Sequence, residues 1–138
     1  MPNPTHFGNL VINNTFGNVA LAANTALTIN ETLTLTNGTL ADGGNTIIVL
    51  GNISNSATHS GAGSITIGAG SAPAHNITGN GNGVFGNLTL NSLSGVNMIA
   101  NTTVNGTLTF TAVGLLYIDN KLLRLGASAT ISGAGSTK

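Results

Sequence analysis

Phe7-Gly8-Asn9-Leu10-Val11-Ile12-Asn13 returns further along the chain as Phe85-Gly86-Asn87-Leu88-Thr89-Leu90-Asn91. The correspondence continues well past this opening motif. Asn24-Thr25 returns as Asn101-Thr102, and Thr32-Leu33-Thr34-Leu35-Thr36 as Thr107-Leu108-Thr109-Phe110-Thr111. Asn45-x-Ile47 with Leu50-Gly51 returns as Asn120-x-Leu122 with Leu125-Gly126, and Ser60-Gly-Ala-Gly-Ser64 as Ser132-Gly-Ala-Gly-Ser136. The offset shrinks from 78 to 77 to 75 to 72 along these matches, so the deletions fall between the apolar runs and leave the runs intact. Self-similarity of this kind marks stacked units, none of which buries its apolar face alone. Gaps confined to corners are what a solenoid tolerates, because its corners face solvent.

The apolar runs are short and alternate with period two: Leu10-Val-Ile12, Leu33-Thr-Leu35, Ile65-Thr-Ile67, Leu88-Thr-Leu90 and Leu108-Thr-Phe110. Each places alternate side chains on opposite faces of a strand. Asn-Gly pairs at 37–38, 80–81, 82–83 and 105–106 supply turns, since both residues tolerate positive φ. Helix is disfavoured by the 20 glycines and by Asn, Thr and Ser every few residues; the only helix-like stretch, Val19 to Ala26, carries Asn24 and no capping pattern. An all-β parallel β-helix, or β-solenoid, follows, as a single domain over 1–138 with copy one at about 7–84 and copy two at about 85–138. The repeat of about 75 residues would span three to four coils of about 20 residues, with Leu33 and Leu108 both inward. An antiparallel sandwich is the competing arrangement, but its strands are longer and joined by regular hairpins.

Composition excludes several functions. Only 4% of residues are charged: Glu31, Asp42, Asp119, Lys121, Arg124 and Lys138, with no net charge. No basic patch exists to neutralise phosphates, so nucleic-acid binding is not expected. No apolar run approaches the ~20 residues of a membrane-spanning helix. The absence of cysteine removes disulfides, thiolate metal sites and cysteine nucleophiles. Met1-Pro-Asn-Pro-Thr-His6 has neither the basic region nor the apolar core of a signal peptide, and neither end supplies an obvious polar cap, which reads as a piece of something larger.

The pattern Phe-Gly-Asn-Leu-x-[Ile/Leu]-Asn, Asn-Thr, Thr-Leu-Thr-[Leu/Phe]-Thr, Asn-x-[Ile/Leu]-x-x-Leu-Gly resembles repeats of very large secreted surface proteins of Bacteroidetes. More loosely, it is similar to the β-helical stalks of autotransporter and filamentous-haemagglutinin-type adhesins. The resemblance covers nearly the whole chain and is compositional rather than catalytic. It implies a right-handed parallel β-helix exported to the cell surface. The sequence departs from that family in lacking an export signal and a terminal sorting module, so secretion rests on likeness alone.

Candidate chemistry is sparse. Glu31 sits at a corner, and Asp42 before Gly43-Gly44 reads as a turn former, as does Asp119 at the equivalent point of copy two. Three scattered carboxylates do not make the acid–base cluster of a solenoid enzyme. An Asp–Lys or Asp–Arg site that uses Lys121 or Arg124 is the alternative. His6, His59 and His75 share no metal-ligand spacing and read as surface or corner residues; His59 has Ile131 as its counterpart. The Gly-rich runs at 61–70 and 79–86 lack the lysine and following helix of a phosphate-binding loop. Two Asp are too few for calcium-binding repeats. Asn-x-Ser/Thr occurs at Asn13, Asn30, Asn37, Asn52, Asn76, Asn87, Asn101 and Asn105, a by-product of Asn and Thr richness. Corner asparagines read better as ladders binding one coil to the next.

No catalytic, cofactor-binding or metal residue is therefore assigned. The expected function is a non-catalytic structural or adhesive module at a cell surface or outside the cell. It would self-associate through solenoid ends or continue into further repeats, because coil edges lacking charge template pairing. Surface glycans are candidate partners, though one Tyr, four Phe and no Trp offer little for sugar stacking. Ice binding is a further alternative, suggested by Thr32, Thr34, Thr36, Thr107, Thr109 and Thr111. Those two Thr arrays stand 75 residues apart rather than on successive coils, which argues against it.

Overall fold

A computed structural model describes residues 5–71, 73–111 and 115–133; Met1 to Pro4, Ser136 and Lys138 lie outside that range. The described chain is all strand, turn and bend, wound as a parallel β-solenoid of three faces per coil. β1 (Thr5–Phe7) and β2 (Leu10–Ala20) make the first coil, and β3 (Leu27–Ile29) and β4 (Thr32–Ala41) the second. β5 (Thr46–Val49), β6 (Asn52–Asn55) and β7 (Thr58–Ser60) make the third; β8 (Ser64–Ser71), β9 (His75–Thr78) and β10 (Val84–Phe85) make the fourth. β11 (Leu88–Ser92), β12 (Val96–Met98) and β13 (Thr102–Val104) follow, then β14 (Thr107–Phe110), β15 (Leu116–Tyr117) and β16 (Leu123–Leu125). β17 (Thr130–Ser132) opens a further coil.

The first face is a seven-stranded sheet in the order β1-β3-β5-β8-β11-β14-β17. The other two faces form one ten-stranded sheet that folds over at β4. The N-terminal part of β4 pairs with β6 on the second face and its C-terminal part with β7 on the third. β2 and β4, of 11 and 10 residues, exceed the expected strand length because each bends across a corner. Every pairing is parallel, which excludes the sandwich. The coils are six in number, so the rod is roughly 30 Å long at about 4.8 Å per rung.

Like stacks on like inside. The first face contributes Leu27, Ile47, Ile65, Leu88, Leu108 and Ile131, in register at intervals of 20, 18, 23, 20 and 23 residues. The second contributes Leu10, Leu33, Ile53, Ile77 and Met98. Leu33 and Leu108 are both fully buried, as their place in the alternation requires. Eighteen buried apolar residues form one continuous core. The glycines serve two ends. Gly38 and Gly81 adopt positive φ in their Asn-Gly turns, whereas Gly83 and Gly106 have ordinary φ but abut the preceding coil so closely that a Cβ would strike it.

The sequence repeat is not a whole number of coils. Phe7 lies on the first face and Phe85 on the third; Leu10–Ile12 lie on the second face and Leu88–Leu90 on the first. Thr32–Leu35 belong to the second face, whereas Thr107–Phe110 belong to the first. Each copy is thus displaced by eleven face crossings, three coils and two faces, within the expected span of three to four coils. Three faces of similar width let the same strand motif serve any of them.

Candidate functional site

Three places concentrate polar chemistry: the corners, one buried side-chain pair and the outer surface of the first face. At the corners, asparagine side chains join coil to coil. Asn87 Oδ1 accepts from the amide of Thr107 at 2.8 Å while its Nδ2 donates to the carbonyl of Gly63 at 2.6 Å, so one side chain ties three coils. Asn45 accepts from the Thr25 amide (2.9 Å) and donates to the Ala22 carbonyl (2.8 Å), tying its corner to the preceding one. Asn9, Asn52 and Asn101 accept from the backbone amides of Thr32, Asn76 and Leu122 in the next coil. Turn amides that no ladder can satisfy find their partners here.

Asp42 and His59 are the largest departure from what the residues suggested. His59 is not a surface or corner histidine. It occupies the inward column of the third face, between Leu40 and Phe85, and is buried. An imidazole in an apolar stack must find partners at its edge, and it does. Nε2 lies 3.1 Å from Asp42 Oδ2, and Nδ1 accepts from the amide of Gly86 at 3.2 Å. Because Nδ1 accepts, Nε2 carries the proton and donates to Asp42. Asp42 does form the expected turn, taking the Gly44 amide on Oδ1 at 2.7 Å; the Gly63 amide also donates to that oxygen, at 3.0 Å. Gly61 has positive φ and lies where a Cβ would strike this carboxylate.

The pair resembles the His and Asp of a catalytic triad but is sealed. Every polar atom of His59 is engaged, leaving neither lone pair nor proton for a substrate. Burial pushes the His59 imidazole below its ordinary range, with the Asp42 carboxylate opposing that shift. Burial likewise lowers His75, against a hydrogen bond that its ring donates to the Gly51 backbone. His75 faces inward on the second face, in register with Val96, and only His6 is exposed.

The other ionisable residues are dispersed. Glu31 is exposed and accepts from Asn9 Nδ2 at 2.5 Å. Asp119 is an exposed turn residue with φ of 51°, Lys121 donates to Asn120 at 2.7 Å, and Arg124 is exposed on β16. Among the described residues the Asp42–His59 contact is the one ion-pair geometry, and no three side chains of metal-ligating type come together.

On the outside of the first face, hydroxyl side chains line up over successive coils. Thr28, Ile48, Thr66, Thr89, Thr109 and Ser132 form one register column, and Thr46 pairs with Ser64 and Thr107 with Thr130 two residues earlier on their strands. This corrects the expectation drawn from spacing. The Thr-Leu-Thr motifs of the two copies lie on different faces, but single threonines from β8, β11 and β14 complete the column. A shallow trough on this face is lined by Thr46, Ser64, Asn87, Thr89, Thr107 and Thr109.

Compared with known proteins, the chain matches no family model, no curated protein and no solved structure.

Proposed function

We propose that this chain is a non-catalytic structural or adhesive module, a rod segment that stacks end to end through its open coils. The observation that carries the reading is the behaviour of the inward columns at the two ends. Leu88, Val104 and Leu108 are at most 2% exposed, yet Ile131 and Leu125, the terminal members of the same columns, are 51% and 41% exposed. At the opposite end Phe7, stacked on Ile29, is 41% exposed. Among the described residues each column is therefore covered in the middle and uncovered at its first and last members. A further coil laid on β16 and β17 would cover Leu125 and Ile131 as every interior coil covers its neighbour, at about 1.5–3 kcal/mol for each apolar side chain fully buried.

The columns also specify how a second copy fits. Val19 begins the inward column that Leu125 ends, and Thr5 begins the column that Ile131 ends. A head-to-tail contact would place like positions over like, with the strand edges pairing by backbone hydrogen bonds. Further repeats of the same kind in one polypeptide would use the same contact. The Thr- and Asn-rich exterior and the resemblance to surface-protein repeats support the reading of this rod as one that works outside the cell, at a bacterial surface. Sedimentation of the protein over a hundredfold concentration range, with Leu125→Asp as the end-blocked variant, tests the reading. Association that the substitution removes supports it, and a monomer throughout rejects it.

A further inference from the structure

We propose that the outer surface of the first face binds ice. The column Thr28, Ile48, Thr66, Thr89, Thr109 and Ser132 presents five hydroxyls over six successive rungs, interrupted once by a β-branched isoleucine. Thr46 and Ser64, then Thr107 and Thr130 on the far side of Asn87, add a second, interrupted column. Parallel pairing fixes the rung spacing at about 4.8 Å, and two residues along a strand are about 6.6 Å apart. The result is a rectangular grid of hydroxyls and methyls. Ice planes repeat on closely similar dimensions in two directions, so ordered water can sit between columns in continuity with the lattice.

Three further features suit a crystalline, neutral ligand. First, the hydroxyls of Thr28, Thr66, Thr89 and Thr109 make no hydrogen bond among the described residues, so they remain free for water; Thr107 and Thr130 bond each other at 3.0 Å. Second, threonine is stiff at χ1 and stands on a rigid sheet, so little conformational freedom is lost on contact. Third, the outward residues of the first-face strands β3, β5, β8, β11, β14 and β17 carry no charge and no aromatic ring, the imidazole of His6 on β1 being the one ring in the column. Their lack of rings disfavours a sugar lattice, which is held by stacking on aromatic side chains. The other faces differ. The second carries the asparagines Asn52, Asn76 and Asn97, with Asn97 and Asn76 bonded to each other at 3.1 Å, and ends in Tyr117; the third carries Arg124.

Ice binding does not rest on end-to-end stacking, and the test separates the two. Thermal hysteresis and ice-crystal shape are measured on the full chain in the end-blocked Leu125→Asp background, alone and with Thr89→Lys, Thr109→Lys or, as the control, Thr34→Lys on the second face. Folding of each variant is checked by circular dichroism. Faceted crystals and measurable hysteresis are expected, reduced severalfold by Thr89→Lys or Thr109→Lys and unchanged by Thr34→Lys. Having two first-face variants keeps the test decisive if one fails to fold. Absence of hysteresis and shaping in the parent, or equal loss from the second-face substitution, overturns the proposal. Co-sedimentation with crystalline cellulose or chitin in place of ice activity also overturns it, assigning the face to a polysaccharide.

Discussion

His59 Nε2 and Asp42 Oδ2 lie 3.1 Å apart with both side chains fully buried, joining the second coil to the third inside an otherwise apolar stack. Gly86, in the fourth coil, donates to the far side of the same ring. The arrangement is a clamp across three coils, and its members depend on one another. A buried polar group is costly unless each of its hydrogen bonds is made.

Asp42→Ala should therefore be among the most destabilising single substitutions in the chain. It strands the Nε2 proton of His59 and the amides of Gly44 and Gly63. Breaking a buried pair by removing one partner costs about 3–5 kcal/mol. Thermal and urea denaturation should show a loss of that size; a loss below about 1 kcal/mol would mean that water replaces the carboxylate, contrary to a sealed clamp.

Stability should also fall on mild acidification. Burial holds His59 and His75 below their ordinary value of 6.5, so the unfolded chain takes up protons first as pH drops. The stabilisation is complete above that value and is lost as pH falls from it toward the folded-state values. Melting temperature should decline between neutral pH and pH about 5, and His59→Gln should flatten part of the decline. A melting temperature that rises over this interval would contradict the burial of both rings.

Much of this architecture is legible in the residues, and what escapes them has physical reasons. Alternation in Thr32–Leu35 and Leu88–Leu90 identifies the inward side chains because the strand period is two and does not depend on which face a strand occupies. The corner role of Asn87 follows from its place just before an apolar run. The Asp42–His59 contact is hidden because its partners stand 17 residues apart, a separation that means contact only once the length of that coil is known. One signal was present: Thr58-His59-Ser60 alternates like a strand, with His59 in the apolar place. Comparing the two copies points the wrong way for the threonine column, because the repeat rotates each motif onto another face.

Leu33→Asp and Leu108→Asp should each unfold at least one coil. Both positions are fully buried, and an unpaired charge there costs several kcal/mol. Circular dichroism during heating should show a large drop in melting temperature for either variant. An unchanged melting temperature would mean that the inward and outward assignments are reversed.

Asn87→Ala should weaken the rod at its fourth to sixth coils by about 0.5–1.5 kcal/mol, the net worth of a part-buried hydrogen bond. The Thr107 amide loses its acceptor and the Gly63 carbonyl its donor. Amide hydrogen exchange should speed at Thr107 before it speeds in β3 or β5. Uniform acceleration along the chain would contradict a local joint.

Electron microscopy of the concentrated protein beside its Leu125→Asp variant is the most direct measurement of end-to-end stacking. Long fibres of constant width are expected from the parent chain, because Leu125 and Ile131 end inward columns that Val19 and Thr5 of the next copy can continue. Leu125→Asp should yield only short separate rods, with a melting temperature close to that of the dissociated parent. Isolated rods from both proteins at every concentration would contradict the account.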